Sequence, residues 1–282
     1  MADAKVGARF LWFPVVALLV AGCAPSRDQP SANDGAKAGE VTVDDALVQY
    51  SLLSTLAAGD YVGGVPLRTV LAGGDFGIGT FSRLDGEMIV LDGQIYQALA
   101  DGTVRPGDLN DTAPFAAVTF FKADGRLENF AAATLDDLDE QLDRKLPRRN
   151  APYAIRIDGE FAELTLRSVP AQSPPFQPLV DVVKHQVTWE HHNLRGVLIG
   201  LRCPSWMGTL NVSGYHWHFL SDDHKIGGHV LACELTRGSV SYDECTSLVV
   251  HLPQSSEFNT IDASKIDADD IDQIERQRAR AK

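Results

Sequence analysis

Apolar and polar residues alternate with a period of two along much of this chain, and only a few stretches keep helical spacing. From Leu47, apolar side chains return at Tyr50, Leu53 and Leu56, ahead of Gly59. That spacing predicts an amphipathic helix with a glycine stop. "VPLRTVLAGGDFGIGTF" opens as a short helix and then meets glycines at 73, 74, 77 and 79, which read as backbone turns. In "EMIVLDGQIYQALADGTV" the pattern alternates, and Asp-Gly pairs at 92–93 and 101–102 mark hairpin turns. "FAAVTFF" (115–121) predicts a strand and "TLDDLDEQLDRKL" (134–146) a polar amphipathic helix. "APYAIRIDGEFAELTLRSV" reads as two strands around Asp158-Gly159, and "LVDVVKHQ" as a short helix. "LRGVLIGLRCP", "GYHWHFLS", "GGHVLACELTRG" and "SLVVHLP" predict strands, and the charged tail "DADDIDQIERQRARAK" a helix. The balance is strand-rich α+β, with no internal repeat.

The N-terminus departs from this pattern. Lys5 and Arg9 precede an apolar run from Phe10 to Ala21, and Gly22-Cys23 follows. The run is about half of the ~20 residues that a spanning helix needs, so residues 1–22 read as an export signal. "LVAGC" resembles a bacterial lipobox, which implies cleavage before Cys23 and a lipid on its thiol. Ala24 rather than Asp after the cysteine points to the outer membrane. Residues 23–40 carry almost no large apolar side chain and predict a flexible tether, with the folded domain at 41–282. The expected location is the periplasm or cell envelope, with the lipid as the only membrane contact.

The chain has 282 residues, 44% of them hydrophobic, enough for a sizeable core. A formal net charge of -13 excludes nucleic acid as a natural partner. Beyond Cys23, Cys203, Cys233 and Cys245 allow three pairings, each leaving one thiol free. Their irregular spacing does not suggest a cysteine metal site.

Four of the eight histidines fall in "GYHWHFLSDDHKIGGHV" (214–230). On a strand, His216 and His218 share one face, while Tyr215, Trp217 and Phe219 share the apolar other. After a polar connection, His229 opens the returning strand and can join the pair. Three imidazoles with open positions are the pattern of a catalytic divalent metal site. His224 reads as a surface residue; His185, His191, His192 and His251 have no matching arrangement. Cys233, further along the strand of His229, is expected on the same face. "GGDFGIG" lacks the Lys-Ser/Thr of a phosphate loop, and no Gly-x-Ser-x-Gly nucleophile motif is present.

"NVSGYHWHFLSDDHKIGGHVLACEL" resembles the metal-binding segment of the α-acetolactate decarboxylases. "GGDFGIGTFSRLDGEMIVLDGQIYQ" (73–97), "TAPFAAVTFF" (112–121), "YAIRIDGEFAELTLRSVPAQSPPF" (153–176) and "RGVLIGLRCPSWMGTLNVSGYH" (195–216) are similar to that family's other motifs, in order. The resemblance runs from about Tyr50 to Pro253. It implies an α+β, strand-rich fold with mixed or antiparallel sheets in two closely packed halves and a few short helices. It also implies conversion of 2-acetolactate to acetoin and CO2, a divalent metal, zinc first, and a homodimer. His216, His218 and His229 would be the metal ligands. Glu87 in "LDGEM", Arg167 in "RSVPAQ" and Glu275 in "DQIERQ" would be the catalytic residues.

These residue types suit that chemistry. Losing CO2 from a β-keto acid puts negative charge on the carbonyl oxygen, where a metal on neutral imidazoles can act as a Lewis acid. An arginine fork matches the substrate carboxylate. Glu87 and Glu275 can serve as the acid/base pair, with the division of labour between them open. The competing expectation is a non-catalytic, exported zinc-binding lipoprotein on the same scaffold. It has no use for Glu87 or Arg167.

Overall fold

The computed structural model describes residues 45–262, 265–266 and 268–275. The expected signal (1–22) and tether (23–40) lie outside these residues, as does the tail after Glu275. In chain order the elements are β1 (Ala46–Tyr50), α1 (Leu53–Ala57), β2 (Val65–Pro66), α2 (Leu67–Gly73), β3 (Phe76–Thr80), β4 (Glu87–Leu91), β5 (Gln94–Ala98), β6 (Val104–Pro106), β7 (Thr112–Ala113) and β8 (Phe115–Thr119). There follow β9 (Gly125–Ala132), α3 (Leu135–Asp143), β10 (Tyr153–Ser168), α4 (Leu179–Val182), β11 (Val187–Cys203), β12 (Gly214–Ser221), β13 (Gly227–Glu244), β14 (Ser247–His251) and α5 (Ala268–Glu275).

Seven strands form one sheet in the order β14-β1-β8-β3-β4-β5-β6. Only the β1–β14 pair in it is parallel. A five-stranded antiparallel sheet runs β10-β11-β12-β13-β9. Because β10 also pairs with β13, the strands β10 to β13 close into a ring. The ring's seam is short, with only His218–Leu220 of β12 set against Gly227–His229 of β13. The fold is thus the strand-rich α+β arrangement of two packed sheets that the sequence leads one to expect. One core lies between the sheets, a second fills the ring under α3, and a third lies beneath α2.

Three expectations of local secondary structure are overturned. Residues 46–50 are strand, and only Leu53–Ala57 is helical. All five β1 residues are buried, so burial on both faces removed the alternation that marks a strand, and Ser51 (φ 73°) breaks the chain before α1. Gly77 and Gly79 lie inside β3 rather than in turns. A Cβ at either would come within 2.2 Å and 2.5 Å of backbone oxygens of β8, so the glycines permit close strand approach. Asp158-Gly159 is no turn but the middle of the 16-residue β10. Gly159 meets Gly196 on one side and Gly238 on the other, and the register with β13 shifts just after it. By contrast, Asp92 (φ 51°) and Gly93 (φ 73°) form the expected two-residue hairpin turn between β4 and β5.

Thr134 caps α3 by accepting from the Asp137 amide, and Asp136 and Asp137 favour its N-terminal dipole. Its Leu135, Leu138 and Leu142 enter the ring core beside Tyr153, Trp217 and Phe219. Leu138 is fully buried there. Leu138→Ala is therefore expected to lower stability by about 2–5 kcal/mol with an unchanged urea m-value. A midpoint equal to that of the wild type would contradict this packing.

The cysteines at 203, 233 and 245 are all free and buried. Cys203 ends β11 and Cys245 follows β13, on opposite sides of β10. Two strand spacings, about 9–10 Å, exceed the ~7 Å Cα limit for a disulfide. Burial raises the Cys203 and Cys233 thiols to about 12 each. Cys233 is not on the face of His229. A bulge between Val230 and Ala232 reverses the alternation, so His229 pairs with Arg167 while Cys233 pairs with Leu164 and joins the ring core.

Candidate active site and metal centre

The site lies between the two sheets, and side-chain alternation on each sheet supplies it. On β12, Tyr215, Trp217 and Phe219 fill the ring core, which leaves His216 and His218 facing the seven-stranded sheet. Tyr215 and Trp217 stack and donate to Asp143 and Asp139 of α3, fixing β12 from behind. On β4, Met88 and Val90 pack toward α2, so Glu87 shares the inner face with Ile89 and Leu91. β4 packs against β12 and β13. His229 sits opposite His218 across the seam, and Arg167 of β10 pairs with His229 on its other side. α5 brings Glu275 into the same space, with Ile271 and Ile274 buried in the core between the sheets.

All six side chains predicted from the sequence meet here. One ligand atom from each of His216, His218 and His229 lies within 4.8 Å of the others. His216 Nε2 is 3.1 Å from His229 Nδ1. Glu87 Oε2 is 3.6 Å from His218 Nε2. Glu275 Oε2 is 3.6 Å from His229 Nδ1 and 3.7 Å from His216 Nε2, and accepts from Arg167 Nη2 at 2.8 Å. The other histidines stay outside: His224 is exposed against Tyr96, and His251 stacks on Tyr50.

Burial sets the charge states. Desolvation, then the Arg167 charge, lowers His216 to about 3. His218 and His229 are held well below the usual imidazole range, also chiefly by desolvation. The three rings are neutral at physiological pH. Burial pushes Glu87 up to about 7, with Arg167 opposing and Glu275 adding to the rise.

Do these residues fit a metal? A carbonyl only accepts, so His218 Nδ1 donates to Met88 O at 2.8 Å and His229 Nε2 donates to Glu275 O at 3.0 Å. The lone pairs are thereby left on His218 Nε2 and His229 Nδ1, which face the site. His218 Nε2 is buried without a hydrogen-bond partner. Two neutral imidazoles with convergent lone pairs and carbonyl-held tautomers, beside a third whose Nε2 lies 3.1 Å from His229 Nδ1, are what a divalent cation requires. The donor set fits.

A cavity of ≈ 40 Å³ opens beside these groups. Leu53, Leu56, Phe115 and Leu179 form its apolar wall, and Thr80, Arg167 and Glu275 its polar end. Thr80 and the apolar wall were not foreseen. Thr80 pairs with Glu87 across β3 and β4, a register hidden by reading the β3 glycines as turns.

The profile of the alpha-acetolactate decarboxylase family matches residues 47–265. The chain belongs to this family. Within it, the enzyme of Methanosarcina mazei is 38% identical over 82% of this chain and 81% of its own length. That of Klebsiella aerogenes is 39% identical over 76% and 83%. The crystal structure of the Bacillus subtilis strain 168 member superposes with a TM-score of 0.79 at 36% identity, over 82% of this chain and 99% of that one. Glu275 lies past the matched residues, so its place in the site rests on geometry rather than on the family profile.

Proposed function

We propose that this protein is a carbon–carbon lyase that decarboxylates 2-acetolactate to acetoin and CO2. The observation that carries the reading is the convergence of Arg167, Glu87 and Glu275 on three buried, neutral imidazoles, with His216 and the three charged-type side chains lining one cavity. His216, His218 and His229 hold a divalent cation, zinc first. When bound, such an ion supplies Lewis-acid polarisation of the substrate's ketone oxygen.

Arg167 presents its fork to the substrate carboxylate and orients it for departure. As the bond to the carboxyl carbon breaks, CO2 leaves and the electron pair moves toward the ketone, giving an enediolate. The carbon that bore the carboxylate then takes a proton, and acetoin results. Glu87, raised by burial, can carry a proton at neutral pH, and Glu275 is the other acid/base candidate. The apolar wall keeps water from the reacting carbon and confines proton delivery to one face. A metal store has no use for Arg167 and Glu87 in this position, which favours the enzyme.

The test mixes residues 24–282 with racemic 2-acetolactate and follows acetoin, with chelator and with zinc add-back. Acetoin that vanishes with chelation and returns with zinc is the expected result. No acetoin from folded, zinc-loaded protein overturns the reaction.

We extend the proposal to an exported, lipid-anchored homodimer. Its supports are the basic start, the apolar run and Cys23, together with the resemblance. Among the described residues no helix is long and apolar enough to cross a membrane. A labelled fatty acid is expected to be incorporated into the wild type and not into Cys23→Ser, and soluble residues 24–282 to sediment at twice the monomer mass. A wild type that takes up no label rules out the lipid, and a monomer rules out the dimer.

A further inference from the structure

Two of the three imidazoles are oriented by backbone carbonyls that belong to other elements. His218 is held by Met88 of β4, within the opposite sheet. His229 is held by Glu275, the last described residue of α5. No side-chain substitution removes a carbonyl, so this control works only through docking of the element that carries it. For β4, a central strand with neighbours on both sides, docking is assured. For α5 it is not. The helix has eight residues and belongs to neither sheet. Among the described side chains, Ile271 and Ile274 join the core between the sheets, and Glu275 pairs with Arg167.

We propose that α5 is a latch on metal affinity, acting through its main chain as well as through the Glu275 carboxylate. Docked, its carbonyl accepts His229 Nε2–H and keeps the Nδ1 lone pair turned to the metal. Undocked, the ring loses that partner, and both its tautomer and its orientation become free. An orienting partner of this kind is worth about 10–100-fold in metal affinity. Linkage makes the coupling reciprocal: metal must tighten α5 by the factor with which α5 tightens metal. The inference rests on the three-histidine metal reading and adds Ile271 and Ile274 to it as positioning residues.

The experiment compares three proteins by zinc titration against a chromophoric chelator: wild type, Glu275→Ala and Ile274→Asp. Glu275→Ala removes the carboxylate and keeps the carbonyl. Ile274→Asp puts a charge into the core between the sheets and lifts the helix with both groups. Zinc affinity is expected to fall further in Ile274→Asp than in Glu275→Ala, by about tenfold or more. Equal affinities for the two variants would show that only the carboxylate matters and overturn the latch. Wild-type protein is tested alongside, with no variant to misfold: amide exchange at 268–275 should slow on zinc addition. Unchanged exchange there, in protein that binds zinc tightly, overturns the latch and leaves the metal reading intact. A wild type whose zinc affinity is unaltered by His216→Ala overturns the metal reading, and the latch with it.

Discussion

His216→Ala is expected to lose zinc and acetoin formation together, with activity down about a thousandfold or more, equivalent to several kcal/mol of barrier. The size follows from the geometry. The ring is buried, neutral, and 3.1 Å from the ligand nitrogen of His229, so no water-exposed residue can substitute for it. His224→Ala provides the contrast. That residue belongs to the same hairpin but is exposed on the connection, and its loss should leave both readouts unchanged. Zinc content and acetoin rate on the two purified variants, with matching circular dichroism, decide the matter. Undiminished turnover by His216→Ala would falsify the assignment of the site.

Arg167 carries the second large effect, which has two parts. Its guanidinium and the Glu275 carboxylate are nearly buried, with side-chain exposures of 4% and 8%, and bond at 2.8 Å. Removing one partner of such a pair leaves a charge uncompensated, at a cost of about 3–5 kcal/mol. Arg167→Gln should show that loss in denaturant unfolding of the metal-free protein. The double variant Arg167→Gln/Glu275→Gln should recover most of it, because neither charge then remains. Activity should not recover, since the carboxylate fork is still absent. Arg167→Lys separates fork from charge. It should fold and bind zinc, and lose about 100-fold or more in kcat/KM, because an ammonium is not a planar bidentate donor. Full activity in Arg167→Lys, or a double variant no more stable than Arg167→Gln, would refute this role.

The site was more legible in the sequence than the fold around it. A His-x-His on a strand announces its own geometry, because alternation places both rings on one face whatever the strand packs against. The Tyr215-Trp217-Phe219 face settled which way the strand turns, and the structure agrees. Glu87, Arg167 and Glu275 were reached only through resemblance, since an isolated Glu or Arg has no periodic signature. What stayed hidden depends on neighbours. β1 is buried on both faces and so mimicked a helix; the β3 glycines answer to the approach of β8; one bulge reversed the side taken by Cys233. β9 was missed because most of its side chains are polar or exposed, and its place is set by pairing with the far end of β13. The carbonyls of Met88 and Glu275 have no residue-type signal at all.

The seam between β12 and β13 has a consequence for the order of assembly. His216 and His229 are thirteen residues apart, whereas Arg167 and Glu275 are separated by 108. Loop-closure entropy makes the second contact costlier by about 2 kcal/mol, and a hairpin closes within about 1–10 μs. A refolding chain therefore gathers its imidazoles early and its arginine–glutamate pair late. Between those events it has the ligands of the proposed metal site but not the groups that would orient substrate, so on this reading metal capture and catalytic competence are separate events in time.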